Sequence, residues 1–323
     1  MKTIDISVCV PVYGVEKYIE QCARSLFEQT LQDRIEFIFV NDCTEDRSIE
    51  ILKQVLDEYP QRKDQVKIIH ARKNGGLATT RNIAMSHATG KYIINCDSDD
   101  WVEPNMYELL LQEALSTGAD IVICGMTEEY AGRSKAVNVP LKPNSLEYVK
   151  AMLRGEMHSG TWNKLILKEL YINHNISYLD GVNMWEDVNV IVPLTHYAKC
   201  ISVIDKPMYH YRRTNGNSYT NHMTSKGLDN MKVTISHLED FFIANNSQEL
   251  LPLINYLKLT TRLRWLLEKN FNHKIKLYPE SDCWIMSYRS ISIYWRIAMK
   301  INSIFGYIGF IPFYYCAKLL KKA

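Results

Sequence analysis

Three carboxylates lie within the segment 95–100 (NCDSDD), directly after an apolar run. Like charges this close repel one another unless a cation or hydrogen-bond donors hold them. Mg²⁺ and Mn²⁺ prefer oxygen ligands and usually take one or two protein carboxylates, which leaves positions for the phosphates of a substrate. The segment therefore predicts either a divalent-cation site at Asp97, Asp99 and Asp100 or a solvated acidic turn that caps the helix beginning near Pro104.

Two further polar segments follow apolar runs. In the segment 41–46 (NDCTED), the carboxylate of Asp42 can accept hydrogen bonds from a nucleobase or a ribose, although an acid there can also cap the next helix. The segment 74–82 (NGGLATTRN) places two glycines before a helix whose first turn can face a diphosphate, with Arg81 in reach of a base or a phosphate. The alternative is an ordinary glycine turn followed by a surface arginine.

A pair of adjacent acids, Glu186 and Asp187, begins a predicted helix over 185–196. Adjacent carboxyl groups raise one another's pKa, and a carboxylate near an acceptor hydroxyl can act as a general base. Acids in the first turn of a helix are also stabilised by the helix dipole without any chemical role. The pair therefore predicts a general base, with a helix-dipole role as the alternative.

Short runs rich in Val and Ile alternate with helical patterns in the first part of the chain. Such runs are typical of strands buried on both faces of a parallel sheet, and they occupy 6–12, 35–40, 66–71, 92–96 and 121–124. The alternation predicts an α/β fold with a mostly parallel sheet flanked by helices. Ligands bind at the carboxyl ends of such strands, which is where Asp42 and Asp97 fall.

Four segments in this order, SVCVPVYGVEKYIEQCARSL, FVNDCTEDRS, NGGLATTRN and NCDSDD, resemble the motifs of the family 2 glycosyltransferases. GTWNKLILKELY, NMWEDVNV and PMYHYRRTNGNSYT resemble segments of bacterial members that build surface polysaccharides. The resemblance implies a Rossmann-like GT-A fold. It also implies inverting transfer of a sugar from a nucleotide-diphosphate donor, expected to be a UDP-sugar, to a hydroxyl of a glycan or lipid-linked glycan acceptor.

The same resemblance implies roles for single residues in donor binding. Asp42 is the partner of the base, Arg81 is a further base contact, and Asp97 approaches the ribose or a water on the metal. Asp99 binds the Mn²⁺ or Mg²⁺ that bridges the two phosphates, and Asp100 is an outer-shell or capping residue. The wall against the base is formed by Pro11, Val12 and Tyr13.

For the acceptor side, the resemblance implies that Asp187 is the catalytic base, with Glu186 as the second choice. The segment NDCTED departs from the commoner DDGSTD form at Asn41 and Cys43, and Cys43 in place of glycine leaves the geometry of this turn open. His210 could reach the metal or the diphosphate, or it could be an ordinary core histidine.

Three rival functions stay open. A nucleotidyltransferase would usually carry a glycine-rich basic loop near the N-terminus, and VPVYGVEKY is not one. Transfer to polyprenyl phosphate would need no base for a hydroxyl, so the Glu-Asp pair argues against it. A catalytically silent scaffold that binds nucleotide or membrane is the third rival.

Composition sets the broader expectations. A chain of 323 residues with 46% hydrophobic and 23% charged residues is typical of a globular protein, and a net charge of +2 gives no reason to expect nucleic acid as a partner. We expect a catalytic domain over 1–221, with a nucleotide-sugar half of about 1–125 and an acceptor half of about 126–221, followed by a helical region over 222–323. Eight cysteines without a CxxC pair, and no signal-peptide pattern, predict a cytoplasmic protein.

The C-terminal segment 304–317 (IFGYIGFIPFYYCA) carries no charge, and no acidic residue follows Asp282. Fourteen residues are too few to cross a bilayer, for which about twenty are needed. Flanking lysines and arginines with interleaved aromatic residues predict a segment that lies on the inner, anionic face of the cell membrane. Packing on the catalytic domain or in an oligomer is the alternative.

Overall fold

The computed structural model describes residues 3–216, 223–268 and 276–320. Within these ranges, nine strands form one sheet. They are β1 Ile6–Val12, β2 Ile35–Asn41, β3 Val66–His70, β4 Tyr92–Asn95, β5 Trp101–Val102, β6 Ile121–Tyr130, β7 Arg133–Val137, β8 Lys164–Leu167 and β9 Ile201–Arg212.

Eleven α-helices connect and cover the strands in the same described ranges. They are α1 Ile19–Phe27, α2 Ser48–Asp57, α3 Gly76–His87, α4 Met106–Thr117, α5 Ser145–Leu153, α6 Lys168–Asn173, α7 Glu186–Tyr197, α8 Ser225–Ala244, α9 Leu251–Leu267, α10 Ile293–Phe305 and α11 Tyr307–Leu320.

The sheet has the order β3-β2-β1-β4-β8-β6-β9-β5, and β7 pairs with β6. The first four strands pair in parallel, as do β6 and β9. The pairs β4–β8, β5–β9, β6–β7 and β6–β8 are antiparallel. The predicted α/β class is confirmed, and each of the five predicted strands is present, the last one extended to Tyr130.

The core explains why these elements form. Every residue of β1 is buried, as expected for a central parallel strand covered on both faces. The helix α1 packs against the sheet through Ile19, Cys22 and Leu26, which recur at helical spacing. Because the parallel strands run in one direction, their carboxyl ends meet at one edge, and the polar segments after β2 and β4 lie at that edge.

The chain divides into two compact units: unit 1 is Met1–Glu147 with Ser159–Asn217, and unit 2 is Tyr148–His158 with Ser218–Ala323. The sequence analysis placed residues 148–158 in the first domain, whereas they group with the C-terminal helices. The boundary expected near Asn221 lies outside the described residues, so that division stays a prediction.

The C-terminal segment of unit 2 forms two helices instead of one continuous element. Gly306, with φ +68°, separates α10 from α11. The pair is joined by a hydrogen bond from the Tyr294 hydroxyl to the Phe313 carbonyl (2.5 Å) and by stacking of Trp295 on Phe310. In the part of the chain that the structure describes, no helix is long and apolar enough to span a bilayer.

Candidate active site

The loop after β2 is fastened to the start of α3 by Asp42. Its Oδ1 accepts a hydrogen bond from the Gly75 amide and its Oδ2 one from the Gly76 amide, both at 2.8 Å. The side-chain amide of Asn74 donates to the Asp42 carbonyl (3.1 Å). A carboxylate at a helix N-terminus is stabilised by the unpaired amides there. Asp42 therefore shapes the glycine turn, and its contact with a base stays a prediction.

Glycine is required at position 76. Its φ is +79°, and a Cβ there would lie 2.1 Å from Nδ2 of Asn183. The same Asn183 accepts a hydrogen bond from the Ala78 amide (3.0 Å), so it ties the first turn of α3 to the segment before α7. The close approach brings the glycine turn and the Glu-Asp pair into one site, although more than 100 residues separate them in sequence.

Arg81 lies at the centre of the site and is fully buried. Its Nη2 donates to Oδ1 of Asp97 (2.8 Å), and its Nη1 donates to Oε1 of Glu186 (3.1 Å) and to Oδ1 of Asp187 (2.5 Å). We call these four residues the Arg81 cluster. The surface position considered as the alternative is wrong, because the guanidinium lies inside the protein and donates to three carboxylates. The contact of Arg81 with a base stays a prediction.

The electrostatics of the Arg81 cluster follow from burial. Burial alone would lower the pKa of Arg81, but the charges of Asp187, Asp97 and Glu186 outweigh it and raise that pKa well above its ordinary value. Burial, with the neighbouring charge of Asp187, raises the pKa of Glu186 to about 8. Burial also raises the pKa of Asp187, while Arg81 opposes the shift. Burial therefore favours the protonated form of Glu186, and Asp187, which Arg81 holds through a hydrogen bond, is the better candidate for a base.

Asp187 is further held by a residue that sequence reasoning missed. The hydroxyl of Thr161 donates to Asp187 Oδ1 (2.9 Å). Thr161 also receives a hydrogen bond from Asn95 (3.0 Å) and one from the Tyr178 hydroxyl (3.2 Å). The position of Asn95 at the start of the segment 95–100 was the sequence signal for this network. Thr161 and Arg81 bind the same oxygen, Oδ1, and together they hold the carboxylate of Asp187 in place.

Asp99 and Asp100 occupy a different environment from Asp97. Oδ2 of Asp99 accepts a hydrogen bond from Asn215 (2.7 Å), and burial with the charge of Asp97 raises the pKa of Asp99. Asp100 is buried, with Oδ2 bound by the Tyr209 hydroxyl (2.8 Å) and Oδ1 by the Arg212 amide (2.7 Å). Asp100 thus anchors the acidic turn to β9, and its role as an outer-shell or capping residue stays a prediction.

The described residues include no group of three or more His, Cys, Asp or Glu side chains that could hold a metal ion. Two carboxylates of the acidic turn, Asp97 and Asp99, lie near enough for the charge of one to raise the pKa of the other. A divalent cation would relieve this repulsion, and Mg²⁺ or Mn²⁺ usually takes one or two carboxylates beside substrate phosphates. The residues present fit such a cation held jointly with a diphosphate.

The remaining candidates lie at the edge of the site or outside it. Pro11 and Val12 are buried within β1, so Tyr13, at 57% exposed, is the one of the three predicted wall residues with an accessible side chain.

His210 bridges Glu103 and Glu129, with 2.8 Å from one ring nitrogen to each carboxylate, and its ring stacks on Trp101. His210 is therefore a structural histidine between β5, β6 and β9.

Two backbone positions near the site are strained. Trp185 immediately precedes Glu186 and has φ +65°, a region that bulky residues rarely adopt. Cys43 has φ +59°, which answers the question that its replacement of glycine raised: the cysteine takes the left-handed conformation. Strain of this kind concentrates at functional sites.

Comparison with known proteins identifies the family of the chain. The sequence pattern of the family described as Glycosyl transferase family 2 matches residues 7–173, just over half of the chain. The chain belongs to this family. As a family 2 glycosyltransferase it is 34% identical to EpsH and 35% identical to EpsJ, both of Bacillus subtilis (strain 168). These matches cover 66% and 67% of the chain and 62% of each relative, so they span less than two thirds of the relatives' length.

The fold of this family 2 member is similar to that of a solved structure. The structure of S. aureus TarS 1-349 in complex with UDP-GlcNAc superposes with a TM-score of 0.63 at 18% identity. The superposition covers 93% of this chain and 82% of the TarS chain. At this identity the likeness concerns the fold alone, and it confirms the GT-A type expected from the sequence.

Proposed function

We propose that this family 2 glycosyltransferase moves a sugar from a UDP-sugar to a hydroxyl of a glycan or lipid-linked glycan, with inversion at the anomeric carbon. The observation that carries the proposal is the Arg81 cluster. One buried guanidinium holds Asp97, from the nucleotide half, together with Glu186 and Asp187, from the acceptor half. Groups that would bind the donor and activate the acceptor are thereby fixed within one site.

In this mechanism Asp187 takes the proton of the acceptor hydroxyl as the hydroxyl oxygen bonds to the anomeric carbon and the bond to the nucleoside diphosphate breaks. Both hydrogen bonds that hold Asp187 end on Oδ1, which leaves Oδ2 for the acceptor proton. Fixing a base beside the nucleophile in this way removes orientational freedom before the reaction. Arg81 favours the ionised form of Asp187, because its charge opposes the rise in pKa that burial causes.

The acidic turn would hold the donor's phosphates through Mn²⁺ or Mg²⁺ bound by Asp99, with Asp97 close by. Such a cation, when bound, supplies positive charge next to the phosphate that leaves with the nucleotide. Asn215 donates a hydrogen bond to Oδ2 of Asp99 (2.7 Å) and so holds this carboxylate in place. Because burial raises the pKa of Asp99, cation binding there should strengthen as the pH rises.

Three lines support the choice of donor and acceptor. TarS, which shares the fold, has a solved structure in complex with UDP-GlcNAc. A hydroxyl acceptor needs a base, whereas the oxygen of polyprenyl phosphate is already ionised, so Asp187 favours the hydroxyl. The segments GTWNKLILKELY and NMWEDVNV resemble bacterial surface-polysaccharide enzymes, which favours a glycan acceptor.

Calorimetric binding of UDP, GDP, CMP and dTDP, with and without Mn²⁺, tests the donor and the metal together. We expect UDP to bind in the presence of Mn²⁺ and to lose this dependence in Asp99→Asn. Asp205→Asn, which alters an exposed carboxylate on β9, is the matched control and should bind as the wild type does. Failure of all four nucleotides to bind to the folded protein would contradict the proposal and favour a silent scaffold.

A further inference from the structure

The outer face of α10 is largely apolar although it is exposed, and Lys300, seven residues after Ile293, lies on the same face. Ile293, Ile297 and Ile304 recur at helical spacing and are 52%, 43% and 67% exposed. The opposite side of the helix is buried in unit 2 through Ala298 and Met299. A surface helix normally carries polar residues on the face that points away from the core, so α10 departs from the ordinary amphipathic pattern.

The next helix, α11, repeats this arrangement. Ile308, Tyr315 and Leu319 lie along one exposed face at intervals of seven and four residues, and Ile308 is 80% exposed. Phe310 and Tyr314, on the other side, are buried. We call six of the exposed apolar side chains of the two helices the α10–α11 surface; its members are Ile293, Ile297, Ile304, Ile308, Tyr315 and Leu319.

The chain segment that carries the α10–α11 surface is basic, although Glu268 lies near enough to Lys318 to act on its charge. The sequence after Asp282 has no acidic residue, whereas its basic residues are Arg289, Arg296, Lys300, Lys318, Lys321 and Lys322. Lys300 and Lys318 are exposed on the helices that carry the surface. An apolar patch with a basic surround marks an interaction site for a partner that is both apolar and negatively charged.

We propose that the α10–α11 surface lies in the headgroup region of an anionic lipid bilayer. The isoleucine and leucine side chains would enter the acyl boundary, while the lysines and arginines would contact lipid phosphates. A second copy of the chain fits less well, because pairing this surface with itself would bring the exposed Lys300 and Lys318 of one copy toward those of the other. The inference concerns unit 2 and does not depend on the sugar-transfer reaction.

Flotation of the full-length protein with phosphatidylcholine vesicles, with and without phosphatidylglycerol, tests the proposal. We expect binding that needs phosphatidylglycerol and weakens as salt screens the charges. Ile304→Glu and Ile308→Glu should each reduce the partition coefficient by about tenfold or more, since each removes a buried apolar side chain from the bilayer. Lys300→Gln should reduce it by about fivefold.

Two matched controls keep the test specific. Ile172→Glu makes the same change at an exposed helical position of unit 1, and Lys53→Gln removes an exposed lysine of α2. Both variants should bind vesicles as the wild type does. The proposal is overturned if the folded protein binds neither vesicle. It is also overturned if Ile304→Glu and Ile308→Glu leave vesicle binding unchanged, or if sedimentation shows a self-associated protein that these variants convert to monomer.

Discussion

Two arginines of unit 1 are almost completely buried, and they are held in opposite ways. Arg62 donates to four backbone carbonyls, those of Phe27, Gln29, Leu31 and Gln32, and to the side chain of Gln65. Arg81 instead donates to three carboxylates, and its Nε has no hydrogen-bond partner among the described residues.

The difference separates a structural role from a functional one. Neutral carbonyls accept the hydrogen bonds of the Arg62 guanidinium but do not compensate its charge. Burial therefore lowers the pKa of Arg62. The carboxylates around Arg81 do compensate its charge, and they can also gain or lose protons. A buried cation that links three ionisable groups can therefore set the protonation state of a base, which a cation among carbonyls cannot do.

The largest expected effect comes from replacing each arginine with methionine. Arg81→Met leaves carboxylates buried without their cation, and we expect the free energy of unfolding at pH 8 to fall by about 3–5 kcal/mol. At pH 5 the loss should be smaller, because protonation removes the unpaired charges. Urea unfolding at both pH values measures this.

Arg62→Met is the control for that experiment. Carbonyl groups do not titrate, so its stability loss should be equal at pH 5 and pH 8. If the loss of unfolding free energy depended on pH in the same way in both variants, the proposed difference between a cation held by carboxylates and one held by carbonyls would be wrong.

A smaller effect is expected for Glu186→Gln. The pKa of Glu186 is about 8 in the folded protein and has an ordinary value of 4.5. The stability that protonated Glu186 contributes is full below about pH 4.5 and is lost as the pH rises toward 8. Glutamine does not ionise, so the variant should become more stable relative to the wild type across this window. Unfolding measured at several pH values checks the trend.

The matched control is Gln65→Leu, which removes a neutral partner of Arg62. Its stability difference from the wild type should be constant over the same pH range. A Glu186→Gln difference that is equally constant would show that Glu186 is ionised in the folded protein.

The smallest effect is expected for Thr161→Val. The variant loses a hydrogen bond that lowers the pKa of Asp187, so that pKa should rise further. The pH profile of kcat/KM should therefore move its rising limb to higher pH, with a loss of about fivefold at neutral pH from one hydrogen bond of ordinary strength. Thr117→Val, at the end of α4, is the control and should leave the profile in place.

Sequence patterns predicted those parts of the site that depend on local order. Asp42 and Asp97 follow parallel strands, and the register of β1 with β2 and β4 brings the ends of these strands to one edge. Periodicity and turn residues were sufficient to predict the position of these two carboxylates, because a strand and the loop after it are continuous in the chain.

The contacts across the chain could not be predicted in the same way. Arg81 meets Asp187 over a separation of 106 residues, and Gly76 meets Asn183 at a distance that only the packed structure sets. No periodicity distinguishes a buried arginine from one on the outer face of the same helix. The short antiparallel strand β8, Lys164–Leu167, was missed for a related reason: four residues carry too little pattern.

The central claim is that Asp187, held by Arg81 and Thr161, is the base for sugar transfer. The direct measurement is the rate of UDP release from a panel of UDP-sugars with glycan acceptors, for the wild type, Asp187→Asn and the control Asp180→Asn. We predict that Asp187→Asn lowers kcat by about 10²–10⁴-fold while UDP binds with unchanged affinity, and that Asp180→Asn keeps its activity. An Asp187→Asn enzyme that turns over at the wild-type rate would contradict the account.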